Sequence, residues 1–342
     1  VAGKRKKIYI KTFGCIQNKA DSERIRAFYW NKGYDLAQKW KEANLVIINS
    51  CIVRQSAENR VYGLINNIDK YRKANNKKIK IVLTGCLVGL AGKKIKEKLP
   101  QVDILPISEI SDQVKPLRGK KQAALVPISA GCDNFCSYCI VPYARGRERS
   151  RKKEEILAEV DRAIEEGFWR VILIGQNVNS YGKGQFADLL ETVAKKKLER
   201  VSFVSSNPWD FSDELIEVIA QYKNIDRLIH LPLQSGDDGI LKKMSRPYTA
   251  KQYLRLVEKI RQKVDGVRFS TDILIGFPGE SRKAFENTVK LCQGVGFELA
   301  YLNKYSPRPG TVSAKLYQDN VPWKEKQRRW RKLNDLINKK LS

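Results

Sequence analysis

Three apolar runs, KKIYIKTFGC, ANLVIINSC and KIKIVLTGC, each end on a cysteine, and those cysteines (Cys15, Cys51, Cys86) lie 36 and 35 residues apart. That interval is close to one strand-helix unit. Helical patterns fill the gaps: KADSERIRAFYWNKG, closing at Gly33, then SAENRVYGLINNIDKYRKAN. A short helix, LAGKKIKEKLP, and a last strand, VDILPIS, follow. Short β-rich runs alternating with helical ones predict a parallel, doubly wound sheet. The C-terminal ends of parallel strands share one edge, and ligands bind there. All three sulfurs therefore belong on one rim. One buried cysteine would be a small hydrophobe. Three at equivalent topological positions are expected to be metal ligands, with Gln17, Asn18 and Arg54 supplying polar and cationic groups beside them.

From about residue 122 the alternation resumes. The strands are AALVPISAGC, RVILIGQN, RVSFVSSNP, RLIHLPLQSG, VRFSTDILIGFPGE and ELAYLNKYSPRPG, with helical patterns between them. A closed barrel needs eight units. Six predict an open, partial (β/α)6 barrel, with its ligands at the C-terminal ends of the strands. Cys132, Cys136 and Cys139 follow the first of these strands. Zinc modules pair cysteines and then repeat the pair later in the chain, and no second pair follows here. Three thiolates suit a [4Fe–4S] cluster, which normally takes four. One iron then stays open, and the amino and carboxylate groups of S-adenosylmethionine can chelate it.

Length and charge fit this picture. A chain of 342 residues exceeds what one core usually serves, and two domains are expected. Lys and Arg number 65 against 37 acids, a net charge of +28, which points to a polyanion such as nucleic acid. A single histidine, His230, argues against His-ligated zinc and Ser-His-acid catalysis, and on its apolar strand it is expected to be a satisfied core residue. No signal peptide and no apolar run of membrane length is read, so a cytoplasmic protein is expected. In a reducing compartment, seven cysteines favour metal or redox chemistry over disulfides. Cys292, on a helical pattern, is expected to be a buried structural cysteine.

The spacing Cys132-x3-Cys136-x2-Cys139 resembles the signature of the radical S-adenosylmethionine superfamily. The wider stretch GCDNFCSYCIVPYARGRERSR resembles the radical methylthiotransferases, as do YIKTFGC, INSC, LTGC, GQNVNSYG, HLPLQSG, TDILIGFPGE and YSPRPGT. The likeness covers nearly the whole chain. PYARGRERSR is more similar to the branches acting on tRNA than to the branch acting on a ribosomal-protein aspartate. The nearest branch converts N6-isopentenyladenosine 37, beside the anticodon, to its 2-methylthio form. The branch acting on N6-threonylcarbamoyladenosine is a close rival. An iron–sulfur protein that binds or senses RNA without turnover is the non-catalytic alternative.

The resemblance implies a radical cluster on Cys132, Cys136 and Cys139 and an auxiliary cluster on Cys15, Cys51 and Cys86, whose open iron carries the sulfur to be transferred. It implies two S-adenosylmethionine molecules per turnover, one giving methyl and one giving a 5′-deoxyadenosyl radical. It also implies tRNA (the anticodon stem-loop) as partner, an electron donor such as flavodoxin or ferredoxin, and a monomer. The domains expected are 1–118 with the auxiliary cluster, 119–312 as the barrel, and 313–342 as a C-terminal helix or linker. Family members usually add a small C-terminal RNA-binding β-barrel, and no strands for one are read before Ser342.

Supporting positions follow. Tyr138 is expected beside the adenine of S-adenosylmethionine. Gly175, Gln176 and Asn177 end the second barrel strand, Ser205 and Ser206 the third, Gln234 and Ser235 the fourth, and Asp272 lies in the fifth. Together they are expected to form a polar cofactor-binding ring at the barrel mouth. Arg145, Arg147, Arg149 and Arg151 alternate after the radical-cluster cysteines. An extended segment would put them on one side, ready for tRNA phosphates.

Overall fold

The computed structural model describes residues 5–53, 55–111, 114–119 and 122–341, so Arg54 lies outside the described residues. Two units form: Val1–Lys121 with Ile140–Arg147, and Gln122–Cys139 with Glu148–Ser342. The boundary is not a single cut, because Ile140–Arg147 belongs to the first unit although the chain on both sides of it belongs to the second.

In the first unit the elements are β1 (Lys6–Thr12), α1 (Ile16–Asn31), β2 (Tyr34–Leu36), β3 (Leu45–Ser50), α2 (Gln55–Ala74), β4 (Lys80–Gly85), α3 (Cys86–Lys98), β5 (Val102–Ile104), α4 (Ser108–Ser111) and α5 (Val141–Arg145). The strands pair in parallel in the order β2-β1-β3-β4-β5. This is a doubly wound order with its switch point between β1 and β3. Every residue of β3 is buried, which is why it reads as an unbroken apolar run. Its side chains divide by period two. Leu45 and Ile47 pack with Ile8, Ile25 and Tyr29 on one face, while Val46 and Ile48 pack with Val61, Ile65 and Leu83 on the other.

Two local features differ from the sequence reading. β2 has three residues and pairs only with β1, too short a run to show a period. Helix α3 begins at Cys86 rather than near Leu90, because its apolar first turn, CLVG, carries no period. The periodic part lies around and beyond a kink at Ala91.

The second unit contains β6 (Ala124–Pro127), β7 (Ser129–Ala130), β8 (Arg149–Ser150), α6 (Lys153–Glu165), β9 (Arg170–Ile174), α7 (Phe186–Ala194), β10 (Arg200–Phe203), α8 (Asp213–Gln221), β11 (Leu228–His230), α9 (Asp238–Lys243), α10 (Ala250–Lys263), β12 (Arg268–Ile275), α11 (Arg282–Val295), β13 (Leu299–Lys304), α12 (Val312–Leu316) and α13 (Trp323–Ile337). Two parallel sheets, β6-β9-β10 and β11-β12-β13, join through one parallel bridge, Val201 with Ile225, just before β11. The arc is the expected open, six-strand barrel. The short antiparallel pair β7–β8 closes the base of the excursion that carries Cys132, Cys136 and Cys139.

The outer edge of β13 is covered by α13. The Asn338 side chain bonds both the N–H (2.9 Å) and the C=O (3.0 Å) of Ala300, and Trp330 Nε1 donates to the Leu302 carbonyl at 3.2 Å. These contacts blunt an edge that would otherwise pair with another chain. The helix is anchored by two buried cations. Lys326 Nζ donates to both carboxylate oxygens of Asp319 at 2.7 Å, and Arg329 pairs with Glu280 at 2.6 Å. Gly276 opens the GFPGE turn at φ +71°, and a Cβ there would collide with the Lys326 stem. That glycine serves the packing of α13. No helix among the described residues is long and apolar enough to cross a membrane.

Candidate functional site

Several helices of the second unit start on a side-chain cap. Ser212, Asp237, Thr249 and Ser281 each accept a bond from the first turn of the helix that follows. The helices at the cysteine rim of the first unit do not. Cys15 is the N-cap of α1, and α3 begins at Cys86 behind Gly85, both without a side-chain cap. In α3 the Leu87 N–H is instead met by Ser50 Oγ, at the end of β3, at 3.3 Å. Cys51 lies four residues before Gln55, the first residue of α2.

A buried polar network holds this rim. Asn18 Nδ2 donates to Asn49 Oδ1 (3.0 Å) and to the Ser50 carbonyl (3.1 Å), and Asn49 Nδ2 returns a bond to the Asn18 carbonyl (2.8 Å). The Cys15 thiol donates to Asn18 Oδ1 at 3.5 Å. A Cβ on Gly14 (φ +130°) would collide with Asn18 and stand 2.9 Å from Cys51 Cβ, so only glycine lets the first two cysteine loops meet.

Arg145 completes the rim. α5 packs on α3 where a Cβ at Gly89 would strike the Ala144 carbonyl. This brings Arg145 Nε to 3.1 Å from Cys86 Sγ, while Nη2 pairs with Asp21 at 2.7 Å, both side chains buried. Burial pushes the Cys86 thiol up to about 11, with Arg145 opposing and the Cys51 and Cys15 sulfurs adding to the rise.

In the second unit the loop of Cys132, Cys136 and Cys139 is pinned by its backbone. Ser137 N–H donates to the Met244 carbonyl (3.0 Å), Ser137 Oγ to the Lys243 carbonyl (2.7 Å), and Ser313 N–H to the Ser137 carbonyl (2.7 Å). Arg246 stands beside it, buried, with Nη1 at 3.7 Å from Cys136 Sγ and 3.2 Å from Asn207 Oδ1, and Nη2 donating to the Pro232 carbonyl at 2.9 Å. Its plane lies over Trp209 and Tyr248, 4.6 and 5.4 Å from the ring centres. Burial pushes the Cys132 thiol up to about 11, opposed by the backbone of Asn134.

Among the described residues, which include all seven cysteines, there is no disulfide, and no three His, Cys, Asp or Glu side chains are drawn close enough to hold a single metal ion. A four-iron cluster takes each thiolate on a different iron. Two spread sets of three thiols, each backed by a buried guanidinium, fit such clusters better than a lone ion.

The expected polar ring is only partly available. Asn177 is fully buried and donates to Asp210 at 2.6 Å. Ser206 donates to the His230 carbonyl at 2.6 Å. Ser235 faces Thr288, at 3.5 Å. Asp272 accepts from His230 Nε2 at 3.0 Å, while His230 Nδ1 meets Ser270 Oγ at 3.1 Å, so the lone histidine is satisfied. Gly175 is explained by packing, since a Cβ there would stand 2.7 Å from Ser129 Oγ. Gln176, Ser205 and Gln234 are half-buried and make no side-chain hydrogen bond to the described residues. Ser205 and Gln234 hold left-handed backbone at φ +69° and +63°. Such strain in non-glycine residues gathers at ligand sites. Tyr138 packs against Met244, Phe277 and Tyr305, and burial raises its hydroxyl pKa well above the ordinary value.

The arginine run is not one extended segment. Arg145 ends α5, and its guanidinium is spent on Asp21 and Cys86. Arg151 pairs with Glu159 at 2.8 Å. Arg147 and Arg149 are exposed. Sequence reasoning missed the Arg145–Asp21 pair and Arg246 altogether, because neither shows a spacing that links it to a cysteine 59 or 110 residues away. Cys292 is buried in α11, its thiol pushed up to about 12 by burial alone.

Comparison with known proteins follows the same division. Residues 126–292 match the Radical SAM superfamily, and residues 7–106 match Uncharacterized protein family UPF0004. The tRNA-2-methylthio-N(6)-dimethylallyladenosine synthase of Finegoldia magna is 40% identical, across 96% of this chain and 78% of its own length. The enzyme of the same name from Thermotoga petrophila is 40% identical across 98% and 83%, and that from Dictyoglomus thermophilum 38% across 97% and 83%. Among solved structures, the radical S-adenosylmethionine methyltransferase TsrM of Kitasatospora setae superposes with a TM-score of 0.66 at 13% identity, over 90% of this chain and 75% of that one. The cobalamin-dependent enzyme OxsB gives 0.59 at 11%, over 91% and 55%. Those two likenesses are of fold alone. Identity of this extent to relatives spanned over most of their length places the chain in the radical S-adenosylmethionine methylthiotransferase family, with the tRNA-2-methylthio-N(6)-dimethylallyladenosine synthases.

Proposed function

We propose that this chain inserts a methylthio group at carbon 2 of N6-isopentenyladenosine 37 in tRNA. The observation that carries the reading is the match, over nearly the whole chain, to relatives named for that reaction. It is supported by two sets of three cysteines on C-terminal strand edges. When bound, [4Fe–4S] clusters with S-adenosylmethionine supply a radical able to open an unreactive aryl C–H bond, together with the sulfur to fill it.

The protein's own work is positional. Residues 1–118 hold one cluster through Cys15, Cys51 and Cys86, and residues 119–312 hold the other through Cys132, Cys136 and Cys139. Residues 313–342 brace the last barrel strand through α13. Gln176, Ser205 and Gln234 meet the polar groups of S-adenosylmethionine, with Tyr138 as the aromatic wall beside them. Arg147 and Arg149 meet tRNA phosphates near the anticodon stem-loop. The electron donor is a flavodoxin or ferredoxin, and the protein acts as a cytoplasmic monomer.

The relatives' shared name supports the isopentenyl branch over the threonylcarbamoyl and ribosomal-protein branches. The deciding experiment incubates the anaerobically reconstituted chain with S-adenosylmethionine, reductant and each of three substrates: tRNA carrying isopentenyladenosine, tRNA carrying threonylcarbamoyladenosine, and the ribosomal-protein peptide. Nucleoside and peptide mass analysis should show the methylthio gain in the first alone. Gain only in another substrate, or no 5′-deoxyadenosine with intact clusters, would overturn the reading.

A further inference from the structure

We propose that a cleft at the β1–β3 switch point of the first unit binds the sugar–phosphate backbone of RNA. The proposal rests on the tRNA reading above and adds a second contact region to it. The cleft, about 730 Å³, runs from the end of β1 along α2 and is lined in part by Lys11, Phe13, Asn59, Arg60, Gly63 and Asn67. Doubly wound sheets take phosphorylated ligands in this crevice.

Three observations converge on an anionic, extended ligand. First, Lys11 and Arg60 both stand over the Phe13 ring, 5.8 and 5.5 Å from its centre, and neither has a carboxylate partner among the described residues. Two cations at one ring without a carboxylate partner suit phosphate contacts. Second, Asn59, Gly63 and Asn67 recur every four residues on the exposed side of α2, away from buried Val61, Ile65 and Ile68. Third, Gly63 sits mid-helix, where glycine is unfavourable, yet an added Cβ would meet nothing within 4 Å. No described residue requires that glycine. A backbone lying across α2 from outside would.

The net charge of +28 supplies the long-range attraction. An acidic protein would use the two cations but not the amides or the glycine floor. A ribose-phosphate strand uses all three.

The test is binding of tRNA carrying isopentenyladenosine to the full reconstituted chain, by anisotropy from about 50 to 200 mM KCl. Lys11→Ala/Arg60→Ala should weaken binding and flatten the salt slope by about 2, one per lost phosphate contact. Gly63→Gln, which changes no charge, should weaken binding as well. Lys77→Ala/Lys78→Ala removes two exposed lysines from the opposite, N-terminal edge of the same sheet and should shift the slope far less. Equal slopes for the two double variants would overturn the proposal. So would unchanged tRNA binding joined to lost reduction by flavodoxin, which would assign the cleft to an acidic protein. If the unaltered chain binds no tRNA, the reading beneath fails instead.

Discussion

Replacing Arg145 with methionine should destabilise the cluster-free first unit more than any surface change. Arg145 and Asp21 meet at 2.7 Å with side chains only 7% and 4% exposed. Removing the guanidinium leaves the Asp21 carboxylate buried with, among the described residues, a single side-chain donor, Gln17 Nε2 at 3.2 Å. Breaking a buried ion pair from one side costs about 3–5 kcal/mol. With a urea slope of about 2–3 kcal/mol/M, the midpoint of the transition that includes this unit should fall by about 1–2.5 M. The assay is urea unfolding of the cluster-free chain, anaerobic and reduced, followed by circular dichroism. Arg145→Met/Asp21→Leu should recover most of the loss, because an apolar pair of similar volume is often neutral in such a site. A midpoint within about 0.4 M of the unaltered chain for the single variant would refute the reasoning. It would mean that Asp21 finds water or another donor once Arg145 is gone.

Other outcomes are equally specific. Cys15→Ala/Cys51→Ala/Cys86→Ala should lower the iron bound after anaerobic reconstitution from about eight per chain to about four, measured with sulfide; about four in both would remove the auxiliary cluster. The Cys292 thiol, raised to about 12, contributes stability that is intact below the ordinary thiol value and lost as pH climbs through it toward 12. Unfolding between pH 8 and 11 should therefore steepen with pH in the unaltered chain and flatten in Cys292→Ala, and alkylation should reach exposed Cys15 long before Cys292. Gly276→Ala forces a side chain into left-handed backbone against Lys326 and should lose more than about 1 kcal/mol in thermal or urea unfolding.

Much of this architecture was legible because it is carried by local period. β3, with every residue buried, and the six barrel strands announce themselves as apolar runs between helical patterns. The two cysteine sets were legible because topology turns sequence intervals into shared edges. What escaped was set by tertiary contact. The three-residue β2 has too few residues for a pattern. Arg145 departs from the extended arrangement that alternation implies because Val141–Arg145 is a helix that packs on Gly89. Of the polar ring, Asn177, Ser206, Ser235 and Asp272 are occupied by Asp210, the His230 carbonyl, Thr288 and the His230 ring. No spacing in the sequence distinguishes these four from Gln176, Ser205 and Gln234.

The two buried arginines beside the cysteines differ in one respect that separates their roles. Arg145 has a full counter-ion in Asp21 whether or not sulfur carries charge. Arg246 has none among the described residues. It meets Asn207, the Pro232 carbonyl and Cys136, and its Nε has no partner. Stacking on Trp209 and Tyr248 gives back about 2 kcal/mol or somewhat more. Burying an unpaired cation costs several kcal/mol even after the surroundings relax. Arg246 is therefore a liability in the cluster-free chain and is compensated only when negative charge arrives at Cys136. Arg246→Met should then leave the urea midpoint of the cluster-free chain unchanged or higher, the opposite of Arg145→Met, while iron retained by the Cys132, Cys136 and Cys139 set falls. A loss of stability as large as that of Arg145→Met, with iron binding intact, would make Arg246 a packing residue and end this distinction between the two sites.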